Sequence, residues 1–127
     1  MKSKKKILIF GSSGLLGNYL FKKLKKNFRV FGCQHKNKNN NFFNIDISYI
    51  DQTTNIIKKI KPDIIINCIG YTDVINCEIN KIHAIKLNTL SVYNIISSLR
   101  NLKKKTHLIH ISTDQMYNNK NLLKKKF

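Results

Sequence analysis

The feature that most constrains this chain is an apolar run, Ile7-Leu8-Ile9-Phe10, that stops at Gly11-Ser12-Ser13-Gly14-Leu15-Leu16-Gly17. A continuous apolar run fits a strand buried on both faces. After the glycines, Leu16, Leu20 and Leu24 share a face at i, i+4 and i+8, the spacing of a helix. In such a strand–turn–helix unit Gly11 permits the tight turn. Gly14 lets the backbone approach a pyrophosphate with no Cβ in the way, and Gly17 lets the helix sit close to the sheet. The first turn of the helix then offers unpaired N–H groups to the anion. In this setting the glycines point to dinucleotide binding.

The rest of the pattern repeats the unit. Strands are predicted over 6–10, 28–33, 42–45, 63–67 and 106–111, with a polar surface loop over 34–41. Ser48 with Asp51 three residues later has the form of a capping box. The helix it opens is predicted to carry Ile50, Ile57 and Ile60 inward and to end at Lys61, because Pro62 disfavours helical geometry in the residue before it. A long helix is predicted over about 80–102, where Val92, Ile95, Ile96 and Leu99 repeat as i, i+3, i+4, i+7. Residues 118–127 receive no assignment. The order β-α-β-β-α-β-α-β predicts an α/β, Rossmann-type, doubly wound parallel sheet, with residues 1–127 as one NAD(P)-binding domain.

Composition enters as a test of rival classes. The formal net charge of +18 invites a nucleic-acid reading. Yet the cations are 22 Lys and 2 Arg, and Lys, Ile and Asn together make up 59 of the 127 residues. That joint excess is what an AT-rich genome imposes on any surface, and Arg, the residue that grips phosphates bidentately, is nearly absent. A nucleic-acid partner is therefore not favoured. Many of the lysines fall where helix C-termini and strand N-termini would lie, which reads as compensation of helix dipoles. Cys33, Cys68 and Cys77 make no CxxC pair and leave an odd thiol, which suits a reduced cytosol. The histidines form no ligand cluster, since His107 and His110 in one strand point to opposite faces, and no metal site is expected. No stretch approaches the roughly 20 apolar residues of a membrane span, so the expected location is cytoplasmic.

A combination of segments, in order, resembles the extended short-chain dehydrogenases, and among them the dTDP-4-dehydrorhamnose reductases. The turn has the GxxGxxG spacing, and Asp46-Ile47 follows the third strand. Lys61-Pro62-Asp63-Ile64-Ile65-Ile66-Asn67-Cys68-Ile69-Gly70-Tyr71-Thr72 resembles that family's "RPDVIVNAAAHT" type of segment. Leu87-Asn88 falls in the long helix, and His110-Ile111-Ser112-Thr113-Asp114 resembles its "HYSTD" strand end. The resemblance implies an oxidoreductase of nucleotide-sugar (rhamnose) biosynthesis that reduces a 4-keto nucleotide-sugar with NAD(P)H. It implies that Gly11, Ser13, Gly14, Leu15, Leu16 and Gly17 hold the pyrophosphate turn, and Asp46 and Ile47 the adenine. Gly70, Tyr71 and Thr72 would line the path to the nicotinamide ribose, and Cys68 is counted with the cofactor-binding residues. Thr113 would polarise the substrate carbonyl as a catalytic residue, and Asp114 would bind substrate beside it.

The loop after the second strand carries His35 and Lys36, with Lys38 beyond, and no acid for a ribose 2′-hydroxyl. The reading therefore leans to NADP over NAD. The family's Tyr-x-x-x-Lys pair does not follow Asp114; Tyr19-x-x-x-Lys23 on the first helix is a chance match. The expectation is a C-terminally truncated, N-terminal nucleotide-binding part without the substrate lobe. The expected partners are a dinucleotide, a nucleotide-sugar in the full-length family, and a homodimer mate or partner subunit. The alternative is a non-catalytic dinucleotide-binding or regulatory subunit, like that of methionine adenosyltransferase.

Overall fold

Five apolar segments take up extended geometry and pair side by side, all in parallel. They are β1 (Lys6–Phe10), β2 (Arg29–Gln34), β3 (Phe42–Asn44), β4 (Ile64–Asn67) and β5 (His107–His110), in the order β3-β2-β1-β4-β5. The computed structural model describes residues 3–36 and 39–112. Helices α1 (Leu15–Leu24), α2 (Ile50–Ile60), α3 (Val74–Ile79), α4 (Lys81–Ile85) and α5 (Ser91–Arg100) connect the strands. Parallel strands need such crossovers, because a tight hairpin can only reverse the chain. No helix among the described residues is long and apolar enough to cross a membrane.

Alternation along β1 divides the core in two. Leu8 and Phe10 point to one face, where Ile56, Ile57 and Ile60 of α2 and Ile95 of α5 bury against them with Cys33 and Ile65. Ile7 and Ile9 point to the other, with Ile66, under Leu20, Phe21 and Leu24 of α1. Apolar side chains on both faces of the central strands are what the unbroken runs demand. The sheet is doubly wound, of Rossmann type, as the element order predicts.

Local details depart from expectation. Ser48 does not cap α2: Tyr49 occupies that position without a side-chain cap, while the Ser48 hydroxyl donates to Asp46 Oδ1 at 2.6 Å. A carboxylate two residues back is the stronger acceptor, and it closes an Asx-type turn by also accepting the Ser48 N–H. Ile50 opens the helix facing solvent, and Ile56 takes the inward place assigned to it. The end of α2 behaves as the proline predicts: Lys61 adopts φ 51° and its N–H closes on Ile57 O. The long helix is interrupted. A short α3, capped by Asp73 accepting from Asn76 N, precedes α4, and a π turn over Lys86–Leu90 joins α4 to α5. Past the turn Ile95 is fully buried, whereas Ile96 is 41% exposed.

Register sets up the ligand end. Phe10 pairs with Cys33 on one side and Asn67 on the other, so β1, β2 and β4 finish level. The bonds continue into the loops, from Ser12 N to Cys33 O (2.9 Å) and from Cys68 N to Phe10 O (3.0 Å). Three chain segments therefore leave the sheet together around one gap.

Candidate functional site

That gap is a cleft of about 450 Å³ at the carboxyl end of the sheet. Open parallel sheets bind ligands here, where strand order reverses and loops diverge to opposite faces. Gly11, Ser13 and Gly14 form one wall, His35 and Asp46 to Tyr49 a second, and Cys68 to Gly70 with His83, Lys86 and Leu87 a third.

The glycine turn is built by exclusion. Gly11 has φ +80°, and a Cβ there would lie 3.1 Å from the Cys68 carbonyl carbon and 3.2 Å from its oxygen. A Cβ on Gly17 would strike the Gly11 carbonyl oxygen and come within 2.8 Å of its carbon, so only glycine lets α1 pack onto the turn. Gly14 differs: a Cβ there meets only the Gly11 oxygen, at 3.4 Å. The space it leaves opens on the cleft, and Gly14 is the N-cap of α1 with no side chain occupying the helix end. This is a cradle for an anion held by backbone N–H groups.

Across the cleft Asp46 accepts from the Ser48 N–H (3.0 Å) and hydroxyl (2.6 Å), and its other oxygen lies 3.3 Å from His35 Nε2. Partial burial opposes ionisation, but donation from Ser48 and the neighbouring His35 outweigh it and hold the carboxyl below its ordinary value. At neutral pH Asp46 is therefore an anionic acceptor fixed at the cleft wall. Burial pushes the Cys33 thiol up to about 12 and raises that of Cys68, so both stay protonated. All three cysteines are free thiols.

Behind the third wall Asn88 clamps the loop after β4. Its Oδ1 accepts from Tyr71 N at 2.7 Å, and its Nδ2 donates to Tyr71 O at 3.0 Å. The His83 ring stands edge-on to Tyr71 at 5.0 Å. Deeper, fully buried Asn67 accepts from Ile69 N, and its amide nitrogen lies 3.3 Å from His110 Nδ1. This joins the ends of β4 and β5 next to Ser112.

Of the expected cofactor residues, the structure gathers Gly11, Ser13, Gly14, His35, Asp46, Ile47, Cys68 and Gly70 around the one cleft. Leu15, Leu16, Gly17, Lys36, Tyr71 and Thr72 do not line it. Leu15 projects into solvent, 96% exposed, and Gly17 is spent on packing against Gly11. Lys36 is exposed beyond the end of β2. Tyr71 is turned against His83 and Asn88 instead. Thr113 and Asp114 lie outside the described residues, as does Lys38. Tyr19 and Lys23 stack as a cation over a ring (5.6 Å) on α1, apart from the cleft residues. Sequence reasoning missed Phe10, Cys33, Gln34, Ile45, Ser48, Tyr49, Ile69, His83, Lys86 and Leu87 as cleft residues. Most are ordinary polar or apolar residues in isolation, and only strand register and the path of α4 bring them to the cleft.

Sheet order and the glycine turn define a Rossmann-type α/β class. Residues 5–125 match the model of the RmlD substrate binding domain family, and the chain belongs to that family. It is 32% identical to a dTDP-D-glucose 4,6-dehydratase of Dictyostelium discoideum, over 88% of this chain and 30% of that protein. Among solved structures it is similar to a hypothetical dTDP-4-dehydrorhamnose reductase from Sulfolobus tokodaii, with TM-score 0.78, 32% identity, and coverage of 86% of this chain and 39% of that one. A dTDP-4-dehydrorhamnose reductase from Bacillus anthracis in complex with NADP superposes with TM-score 0.74 at 27% identity, covering 90% and 38%. The chain thus spans about a third of that curated relative and two-fifths of those structures.

Proposed function

We propose that the cleft binds a nicotinamide dinucleotide, and that the chain is the nucleotide-binding part of an oxidoreductase that reduces a 4-keto nucleotide-sugar. The observation that carries this reading is the juxtaposition of the open Gly14 cradle with the ionised Asp46 in one cleft. A dinucleotide needs both: helix N–H groups for its pyrophosphate and an acceptor for the adenine amino group. The NADP-bound reductase of the same fold supports it. When bound, the nicotinamide supplies the hydride. Of this chain's residues, Gly11 to Gly14 would hold the pyrophosphate, Asp46 and Ile47 the adenine, and Gly70 the nicotinamide side. Thr113 and Asp114 would meet the sugar.

In this reading His35 favours NADP over NAD, because it follows the end of β2, where a 2′-phosphate would lie, with Lys36 next to it. Free thiols at three positions suit a reduced, cytoplasmic setting. The test is fluorescence titration of the purified protein with NADPH and NADH. Saturable micromolar binding with NADPH the tighter is expected, and His35→Ala should narrow the preference. Absence of binding to either dinucleotide would sink the proposal.

A further inference from the structure

Lysine is so abundant here that any single one invites dismissal, yet its placement is not uniform. Among the described residues the cations crowd the amino end of the sheet: Lys4 to Lys6, Lys22, Lys23, Lys25, Lys26, Arg29, Lys58, Lys59, Lys61, Arg100 and Lys103 to Lys105. Only Lys36, Lys81 and Lys86 belong to the carboxyl end, and of these only Lys86 lines the cleft. Lys81 is paired with Glu78 at 3.7 Å, and His35 with Asp46 at 3.3 Å. Lys86 has no acid within ion-pair distance among the described residues.

The backbone around Lys86 is anchored. It opens the π turn, a local irregularity that often marks a functional position. Two residues on, Asn88 is bonded to both backbone groups of Tyr71. The Ser91 hydroxyl donates to Leu87 O at 2.5 Å, and three residues before Lys86 the His83 ring rests against Tyr71. His83 and Lys86, one turn apart, thus both line the cleft on the side of Cys68 to Gly70, against which Gly11 packs. The helix N-terminus supplies only partial positive charge to an anion. A doubly charged pyrophosphate in this cleft would otherwise face the Asp46 carboxylate with no full cation free of an acid partner.

We propose that Lys86 is a phosphate-binding residue of the cleft, neutralising the dinucleotide's pyrophosphate together with the Gly14 turn; this rests on the dinucleotide reading above. A lysine is suited to the role as a flexible point charge. It acts on the part common to NADPH and NADH, so it sets affinity rather than the choice between them. The experiment is titration of wild type, Lys86→Gln, Lys86→Arg and Lys81→Gln with both dinucleotides at low and high salt, with an unfolding midpoint for each. Lys86→Gln should bind both about tenfold more weakly, with a shallower salt dependence and an unchanged midpoint. Lys86→Arg should stay within about threefold of wild type, and Lys81→Gln should match it. Wild-type binding with Lys86→Gln equally tight overturns the role of Lys86 alone, and so does a loss confined to NADPH, which would put the charge at the 2′-phosphate. A wild type that binds neither dinucleotide overturns the cleft reading itself.

Discussion

At the amino end of the sheet, lysine ammonium groups close onto carbonyls that the secondary structure leaves over. Lys4 Nζ donates to Lys26 O at 3.4 Å, Lys6 Nζ to Ile60 O at 3.2 Å, and Lys104 Nζ to Lys61 O at 2.9 Å. At the carboxyl end the spare groups are N–H donors at the start of α1, and the chain places glycine there instead of a side chain. The two ends are made by the same strands and helices. They differ because the crossover helices α1, α2 and α5 run antiparallel to the strands, so their C-termini gather at one end and their N-termini at the other. One end satisfies itself with the protein's own cations, and the other leaves its helix start open on the cleft, where the proposed dinucleotide would bring its anion. The lysine excess that first suggests a polyanion partner is in part this local compensation.

Substitutions at the two ends should therefore fail differently. The largest effect belongs to Gly17→Ala, whose Cβ collides with the Gly11 backbone and cannot be relieved by a rotamer. A loss of about 3 kcal/mol in urea unfolding is expected, with dinucleotide binding lost alongside it. Gly14→Ala sharpens the contrast. Its Cβ meets one atom at 3.4 Å, so stability should move by less than about 1 kcal/mol while NADPH affinity falls about tenfold. Equal losses of stability in the two variants would show that the turn is a packing device and no cradle.

The smallest effect lies at the amino end, on Asp63. This carboxylate accepts from Lys6 N at 2.7 Å and Lys104 Nζ at 2.8 Å, and among the described residues it is the acid that stands amid the lysines. Donation from Lys104 and from the Lys6 N–H outweighs burial and holds its carboxyl below the ordinary value of 3.8. The unfolded chain thus binds the proton more readily. The stabilisation is present above pH 3.8 and is lost as pH falls through the lower, folded value. Asp63→Asn should cost no more than about 1 kcal/mol at neutral pH and flatten that acid limb of the stability curve. An acid limb unchanged in the variant would assign it to other carboxylates.

The legible parts of the molecule are those whose information is local. The run Ile7 to Phe10, the glycine spacing and the Lys61-Pro62 stop each announce an element within a few residues, and all three stand in the structure. The errors came where two local options compete. Ser48 had a capping geometry available three residues ahead and a carboxylate two residues behind, and the charged acceptor won. The helical periodicity over 80–102 carried no sign of the π turn, because one extra residue per turn changes phase without changing composition.

For the site, the sequence alone determined which residue types were available: three glycines at the right spacing, an acid after β3, and a cation-bearing loop after β2. It also determined the sheet, since buried runs joined by amphipathic helices have few other ways to hide both faces. Only the tertiary structure decided who meets whom. Parallel register levels Phe10, Cys33 and Asn67, and this puts Gly14, Asp46 and Gly70 around one cleft though they are far apart in the chain. It sets the Tyr71 ring against His83, ties the Tyr71 backbone to Asn88 and brings Lys86, one lysine among many, to the wall of the cleft. Such pairings depend on where strands end and on how a helix is phased. These are properties of the packed whole that no short window of residues contains.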